Sequence, residues 1–134
     1  MTDLIKWNDE FSVGVEETDN QHKELFKMLN ILLEAINNNN NKNSIEKVLE
    51  DMVNYVEFHF KSEEEYTARL PNFTTHRLEH WEFVKQTMNY QKRYTQNEEI
   101  TAQEIFNFLL NWLKKHIIET DINDFRYLRE HGLL

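Results

Sequence analysis

The sequence contains no cysteine, which excludes disulfides, iron–sulfur clusters and zinc sites built from thiolates. Only two glycines, Gly14 and Gly132, and one proline, Pro71, occur among the 134 residues. Tight turns depend heavily on glycine and proline, so a protein of many short strands is disfavoured. The scarcity of both residue types predicts long helices joined by few loops.

Basic residues are also few, because 15 lysines and arginines stand against 24 aspartates and glutamates and the net charge is −9. This charge repels nucleic acid and anionic lipid, and we expect neither as a partner. No apolar run is long enough to cross a bilayer. The first residues, MTDLIKWNDEF, lack the pattern of a signal peptide. The sequence therefore predicts a cytoplasmic protein that does not bind membranes.

Four segments carry apolar residues at the spacing of an amphipathic helix. They span residues 19–36, 45–69, 75–94 and 102–120. The chain is long enough for one domain with a substantial core. The predicted fold is all-α: an up-down-up-down four-helix bundle in a single domain, 1–134, with an N-terminal arm and a short C-terminal helical tail. Trp7 and Phe11 are expected to anchor the arm, residues 1–17, to the bundle.

Residues that favour helix ends lie at the predicted boundaries. Thr18 with Gln21 and Thr101 with Glu104 have the spacing of capping boxes for the first and fourth helices. Ser44 is predicted to cap the second helix, and Thr74 or Thr75 the third. The asparagine-rich run 37–43 is predicted to be an exposed loop between the first two helices.

Residues 76–80 read HRLEH, with two histidines four positions apart. On a helix these two side chains lie on one face and can bind one metal together. The motif also matches the H-x-x-E-H signature of a class of zinc proteases, in which the glutamate is a general base. By itself the motif leaves open a zinc hydrolase, part of a larger metal site, or two surface histidines.

Five of the six histidines and two acids continue the apolar faces of the four segments. These residues are His22, His59, Glu63, His76, His80, His116 and Asp121. The sixth histidine, His131, lies near the C-terminus and is predicted to be a solvated surface residue, as are Glu64 and Glu65. Glu79 is either a partner of a ligand histidine or a solvated residue on the helix surface.

A lone histidine on an apolar face is usually a hydrogen-bonded core residue. Five buried imidazoles without partners would cost about 1–3 kcal/mol each, whereas metal ligation satisfies them together. One zinc takes three or four protein ligands, so the seven candidates indicate two metals. Histidine-rich ligation argues against magnesium and calcium. If both acids and one solvent oxygen bridge two octahedral ions, one position stays open for a small ligand.

This arrangement resembles the hemerythrins, in particular the single-domain bacterial form, bacteriohemerythrin. The stretches that carry the resemblance are KWND (6–9), SVGVEETDNQH (12–22), HFKSEE (59–64), HRLEH (76–80) and WLKKHIIETD (112–121). Together they span nearly the whole chain. One departure is the turn YTARLPNF, where members of the family often carry methionine and then Tyr-Pro; here Thr67 and Leu70 occupy those places. No ligand position is lost.

The resemblance implies a non-haem di-iron centre and the ligands of each ion. His76, His80 and His116 would hold one iron, and His22 and His59 the other. Glu63 and Asp121 would bridge the two ions together with an oxide or hydroxide. The five-coordinate iron would bind O2 reversibly as hydroperoxide, and an apolar pocket would exclude water. The residues expected to line that pocket are Phe60, Trp112, Leu113 and Ile117.

The function implied is that of an O2-binding protein and not an enzyme: a carrier, a store, or a deliverer to an unspecified oxygen-consuming or redox partner protein. One alternative is a di-iron oxidase or peroxidase. Oxygen-activating enzymes of the ferritin-like class use mostly carboxylates, whereas this site has five histidines against two acids, which favours the carrier. A further alternative is an O2 or redox sensor acting on a separate partner.

Overall fold

A computed structural model describes residues 5–39 and 42–134, and the regular structure in these residues is helical throughout. The helices are α1 (Glu16–Asn37), α2 (Lys42–Asn54), α3 (Lys61–Thr67), α4 (Phe73–Thr95), α5 (Ala102–Trp112) and α6 (Ile122–Glu130). Two stretches are π-helical: the first π segment, Tyr55–Phe60, and the second π segment, Leu113–Asp121. A short 3-10 turn, Asp9–Phe11, precedes α1.

These elements form a four-helix bundle. The first bundle helix is α1, the second runs from α2 through the first π segment into α3, and the third is α4. The fourth runs from α5 through the second π segment into α6. The helix α1 contacts α2 and α5, while α4 contacts α2 and α3. The predicted all-α bundle is therefore confirmed. None of the described helices has the length and apolar character needed to cross a membrane.

Several predicted helix ends are wrong. The helix α1 begins at Glu16, so Thr18 is buried inside its first turns and does not cap it. Ser44 lies within α2, which already includes Lys42, and α4 begins at Phe73, ahead of both threonines proposed as its cap. Helix ends are the least certain feature of a helix, and a capping residue in the sequence does not by itself locate them. The capping box of Thr101 and Glu104 is confirmed.

The fourth bundle helix is longer than predicted. It was expected to end at Thr120, but α6 follows the second π segment without a break and ends at Glu130. Gly132 follows with a φ of +67°, in the left-handed region that glycine adopts without strain. The predicted C-terminal helical tail is thus a direct continuation of the bundle helix, and it carries Asp124 one turn beyond the second π segment.

The N-terminal arm packs against the bundle as predicted for its described part, which begins at residue 5. Trp7 and Phe11 contact each other and both contact Phe26 of α1, with ring centroids 5.5–5.8 Å apart. Asp19 accepts hydrogen bonds from the Ser12 hydroxyl and the backbone N–H of Val13. Residues 1–4 of the predicted arm lie outside the described residues.

The loop between α1 and α2 is shorter than the predicted run of residues 37–43. The helix α1 ends at Asn37, and Lys42 already belongs to α2. Asn39 has a φ of 64°, the left-handed conformation that asparagine tolerates better than most residues. Residues 40 and 41 of this predicted loop lie outside the described residues.

Candidate metal centre

All seven residues singled out in the sequence converge between the four bundle helices. Each is at most 2% exposed to solvent. They form two overlapping groups, and within each group the nitrogen and oxygen atoms lie within 4.8 Å of one another. The larger group contains Glu63, His76, His80, His116 and Asp121, and the smaller contains His22, His59, Glu63 and Asp121. The two carboxylates belong to both groups.

The two π segments position several of these side chains. A π-helix bonds residue i to residue i+5, and single π turns occur frequently at functional sites. His116 and Asp121 are five residues apart, both lie on the second π segment, and His116 Nε2 is 3.2 Å from Asp121 Oδ1. In a regular α-helix a spacing of five would turn these two side chains away from each other. His59 lies on the first π segment, four residues before Glu63.

Glu63 lies at the centre of the cluster and divides its two oxygens between the two groups. Its Oε1 is 2.7 Å from His76 Nε2 and 3.0 Å from His80 Nε2. Its Oε2 is 2.9 Å from His59 Nε2 and 3.1 Å from His22 Nε2. One carboxylate therefore faces histidines of the larger group with one oxygen and both histidines of the smaller group with the other.

Asp121 divides its oxygens in the same way. Its Oδ1 is 3.0 Å from His76 Nε2 and 3.2 Å from His116 Nε2. Its Oδ2 is 3.1 Å from His22 Nε2. Neither oxygen makes a well-aligned hydrogen bond, although the whole residue is buried. Buried polar atoms are nearly always satisfied, so these oxygens require a further partner.

The donor set fits a pair of metal ions. His59 Nε2 is also buried without an aligned hydrogen bond. The Nε2 atoms of His80 and His116 face each other at 3.1 Å, where at most one proton can lie between them. Cations among these atoms would satisfy all of them at once, and imidazole with carboxylate is a ligand set that iron and other first-row transition metals accept.

Four of the five histidines are oriented by a partner outside the cluster. His59 Nδ1–H donates to Gln21 at 2.7 Å and His76 Nδ1–H to Asp124 at 2.7 Å. In the same way His80 donates to Glu64 at 2.8 Å and His116 to Glu79 at 2.9 Å. A proton held at Nδ1 leaves the Nε2 lone pair directed at the centre, which is the tautomer a metal requires.

These partners correct the sequence interpretation. Glu64 was predicted to be surface charge, but its carboxylate contacts His80; Glu65 and His131 are exposed as predicted. Glu79 is the partner of His116 and also accepts a hydrogen bond from Thr120. Gln21 and Asp124 were missed as partners because a contact between different bundle helices depends on helix rotation, which the apolar stripe gives only coarsely.

The buried carboxylates and burial itself shift the pKa values of the histidines in opposite directions. Burial lowers the pKa of His22, but its close contacts with the carboxylates of Asp121 and Glu63 outweigh burial and raise it to about 9. Burial also opposes the shift of His76, whose pKa the surrounding carboxylates raise to about 12. At His59 burial prevails and lowers the pKa to about 4. The pKa of His116 is likewise raised well above its ordinary value by Asp121, Glu63 and Glu79 against the effect of burial, so protonation is favoured at three of the histidines and disfavoured at His59.

The aromatic rings of the predicted pocket lie directly on the histidines. Phe60 stacks on His80 with ring centroids 4.0 Å apart, and Trp112 stacks on His116 at 4.2 Å. Both rings therefore flank histidines of the larger group. Leu113 and Ile117 lie in the same buried apolar cluster.

The histidines of the smaller group have an aromatic neighbour that the sequence interpretation missed. Tyr55, four residues before His59, stacks on its ring at 4.5 Å, and its buried hydroxyl makes no hydrogen bond. A partly open cleft of about 200 Å³ adjoins this pair, and Gln21, Met28 and Phe58 also line it.

Comparison with known proteins agrees with this geometry. Residues 13–128 match the family described as the hemerythrin HHE cation binding domain. The bacteriohemerythrin of Clostridium acetobutylicum is 34% identical over 88% of this chain and 96% of its own length. That of Methylococcus capsulatus is 33% identical over 88% and 92%. A crystal structure of a hemerythrin with a leucine-to-tyrosine substitution superposes with a TM-score of 0.77 at 32% identity, covering 89% of this chain and 92% of that one. The chain therefore belongs to the hemerythrin family.

Proposed function

We propose that this chain is a single-domain protein that binds O2 reversibly at a di-iron centre, as a carrier, store or deliverer and not as an enzyme. The observation that carries the proposal is the pair of buried ligand groups that share two carboxylates. Five imidazoles and two acids provide few anionic ligands, unlike the carboxylate-rich centres that activate O2 in ferritin-like enzymes. Membership of the hemerythrin family supports the same assignment.

The proposed ligands follow the two groups. His76, His80 and His116 hold one iron, and this position is termed the three-histidine position. His22 and His59 hold the other, termed the two-histidine position. Glu63 and Asp121 would serve both ions, together with an oxide or hydroxide. In support, each carboxylate directs one oxygen toward each group. The position with fewer histidines would have one protein ligand fewer, which is where O2 is proposed to bind.

When bound, two iron ions would supply the reversible two-electron redox chemistry that O2 binding needs. The chain's own contribution is to keep the site dry. Phe60, Leu113 and Ile117 are at most 4% exposed, and with Trp112 they offer no carboxylate, imidazole or amine that would carry protons to the site. The cleft that Tyr55 and His59 line lies on the outer side of the two-histidine position, and these two buried rings separate it from the other ligands.

Stopped-flow mixing of the fully reduced protein with O2 tests this function. We expect two irons per chain, a peroxide-to-iron absorption band on mixing, and return of the reduced spectrum when O2 is removed. Irreversible oxidation in the first turnover without that band would favour a di-iron oxidase. One zinc per chain with activity on peptides would instead favour the zinc protease suggested by HRLEH alone.

Leu113→Ala is expected to shorten the life of the O2 complex. Leu113 is 4% exposed and lies one turn before His116, so its removal opens space for water next to the centre. We expect decay to the inactive oxidised form to accelerate about tenfold, which corresponds to roughly 1.4 kcal/mol in activation free energy. The measurement is the decay of the charge-transfer band in air-saturated buffer.

Leu128→Ala is the matched control for this substitution. Leu128 is also fully buried but belongs to a separate apolar cluster with Val13, Leu70 and Phe125. Both variants should lose about 2–5 kcal/mol of folding stability, the usual range for a buried leucine. Only Leu113→Ala should speed the decay. Equal acceleration in both variants would show that general loosening of the bundle, and not water at the pocket, limits the life of the complex.

A further inference from the structure

The partners that orient the histidines are unevenly distributed between the two groups. Every histidine of the three-histidine position donates its Nδ1–H to a carboxylate, and the three acceptors are Glu64, Glu79 and Asp124. At the two-histidine position, His59 donates to the neutral amide of Gln21, and His22 Nδ1 makes no hydrogen bond. The histidines of the three-histidine position are therefore bonded to three negatively charged partners. The histidines of the two-histidine position have no negatively charged outer partner.

This difference in outer partners affects which oxidation state is stabilised at each metal position. A carboxylate that accepts the outer N–H of a ligating imidazole makes that imidazole a stronger donor. It also places a negative charge near the ion, and both effects stabilise the more highly charged state. Asp124 should contribute most, since its side chain is only 13% exposed, against 26% for Glu64 and 35% for Glu79. Water screens the more exposed charges more strongly.

Two of the three carboxylates also accept a hydrogen bond from a neighbouring side chain. Thr120 donates its hydroxyl to Glu79 at 2.9 Å, and Asn72 donates its amide to Asp124 at 3.5 Å. Gln21 approaches His59 at 2.7 Å, as closely as Asp124 approaches His76. His59 and His76 thus differ in the charge of their outer partners and not in how closely those partners approach.

We propose that Glu64, Glu79 and Asp124 make the two iron positions electrically unequal, so that a one-electron oxidant removes the first electron from the three-histidine position. The ferric ion then occupies that position, and the two-histidine ion, where O2 is proposed to bind, stays ferrous. This inference rests on the proposed di-iron site. It assigns to the outer partners a role in ordering the two oxidations, beyond orienting the rings.

A redox titration with ferricyanide as the one-electron oxidant tests the proposal on two isosteric variants. Asp124→Asn keeps an oxygen for His76 but removes a charge, so it should raise the lower midpoint potential, that of the three-histidine iron. Gln21→Glu adds a charge beside His59, so it should lower the upper midpoint potential, that of the two-histidine iron. Each change should bring the two midpoint potentials closer together. The equilibrium constant for forming the half-oxidised protein from the fully reduced and fully oxidised proteins should then fall roughly tenfold. Tenfold is the low end of the effect that an outer partner has on metal affinity.

Glu65→Gln is the matched control, because Glu65 is exposed and adjacent in sequence to Glu64. It removes the same charge and should leave both potentials unchanged. The inference is overturned if the wild type oxidises in a single two-electron step, if both isosteric variants shift the potentials in the same direction, or if the control shifts them equally. A wild type without two irons per chain would instead refute the proposed function, and the iron count distinguishes the two failures.

Discussion

Glu63→Ala is expected to remove almost all iron from the purified protein. Both oxygens of this fully buried carboxylate lie among imidazole nitrogens, at distances of 2.7–3.1 Å for the four closest. A bridging ligand serves both ions and offsets their charge. The loss of affinity should therefore exceed the roughly 10–100-fold that removal of an outer partner costs. Colorimetric iron per chain and circular dichroism on the same sample measure metal and fold separately.

Two further variants make this result interpretable. Glu63→Gln preserves the side-chain volume and one carbonyl oxygen while removing the charge, so iron loss in this variant cannot be attributed to a cavity. His131→Ala should retain full iron, because His131 is exposed and contacts Tyr127 instead of the cluster. If His131→Ala lost iron while both Glu63 variants kept it, the proposed ligand set would be wrong.

The sequence predicts the bundle and the convergence of the seven residues because both follow from one periodicity. Apolar residues at helical spacing define the inner face of each helix, and a polar residue on that face must point into the core. His22, for example, lies three and four residues before Leu25 and Phe26, and all three are buried. Inward direction alone was enough to collect the five histidines and Glu63 from four separate helices.

The same periodicity fails where the backbone departs from the α-helix. Asp121 was placed just beyond the predicted end of the fourth helix at Thr120, whereas it ends a π segment that continues into α6. No sequence signal for a π turn was recognised. Partners on neighbouring helices, such as Asp124 for His76, depend on the relative rotation and height of two helices. Those quantities are set by packing of the whole core and not by a local pattern.

The chelator-stripped and iron-loaded proteins are expected to respond oppositely to acid and alkali. Without metal, the folded-state pKa of His22 is raised from 6.5 to about 9 and that of His76 to about 12. A raised pKa stabilises the folded chain fully below the unfolded value, and this stabilisation is lost as pH rises through the folded value. Each such histidine contributes a slope of up to about 1.4 kcal/mol per pH unit. The stripped protein should therefore lose stability between pH 6.5 and about 9.

Bound iron reverses this behaviour, because a ligating imidazole must be neutral. The folded, loaded chain takes up no proton at these histidines, so their apparent pKa values fall below the unfolded value. Stability is then fully present above about 6.5, the free histidine pKa, and is lost as the pH falls and protons displace iron. The five ligand histidines should titrate together, with release of the metal and weakening of the bundle.

Urea unfolding of the stripped and the iron-loaded protein at pH 6.5 and pH 9 measures this difference in pH dependence. The two pH values are the ordinary pKa of His22 and its raised pKa in the folded chain. The urea midpoint of the stripped protein should fall at the higher pH, and that of the loaded protein should stay level. A stripped protein that is equally stable at both pH values would mean that Asp121 and Glu63 do not hold the extra proton on His22. The electrostatic basis for assigning these two carboxylates to the centre of the metal site would then fail.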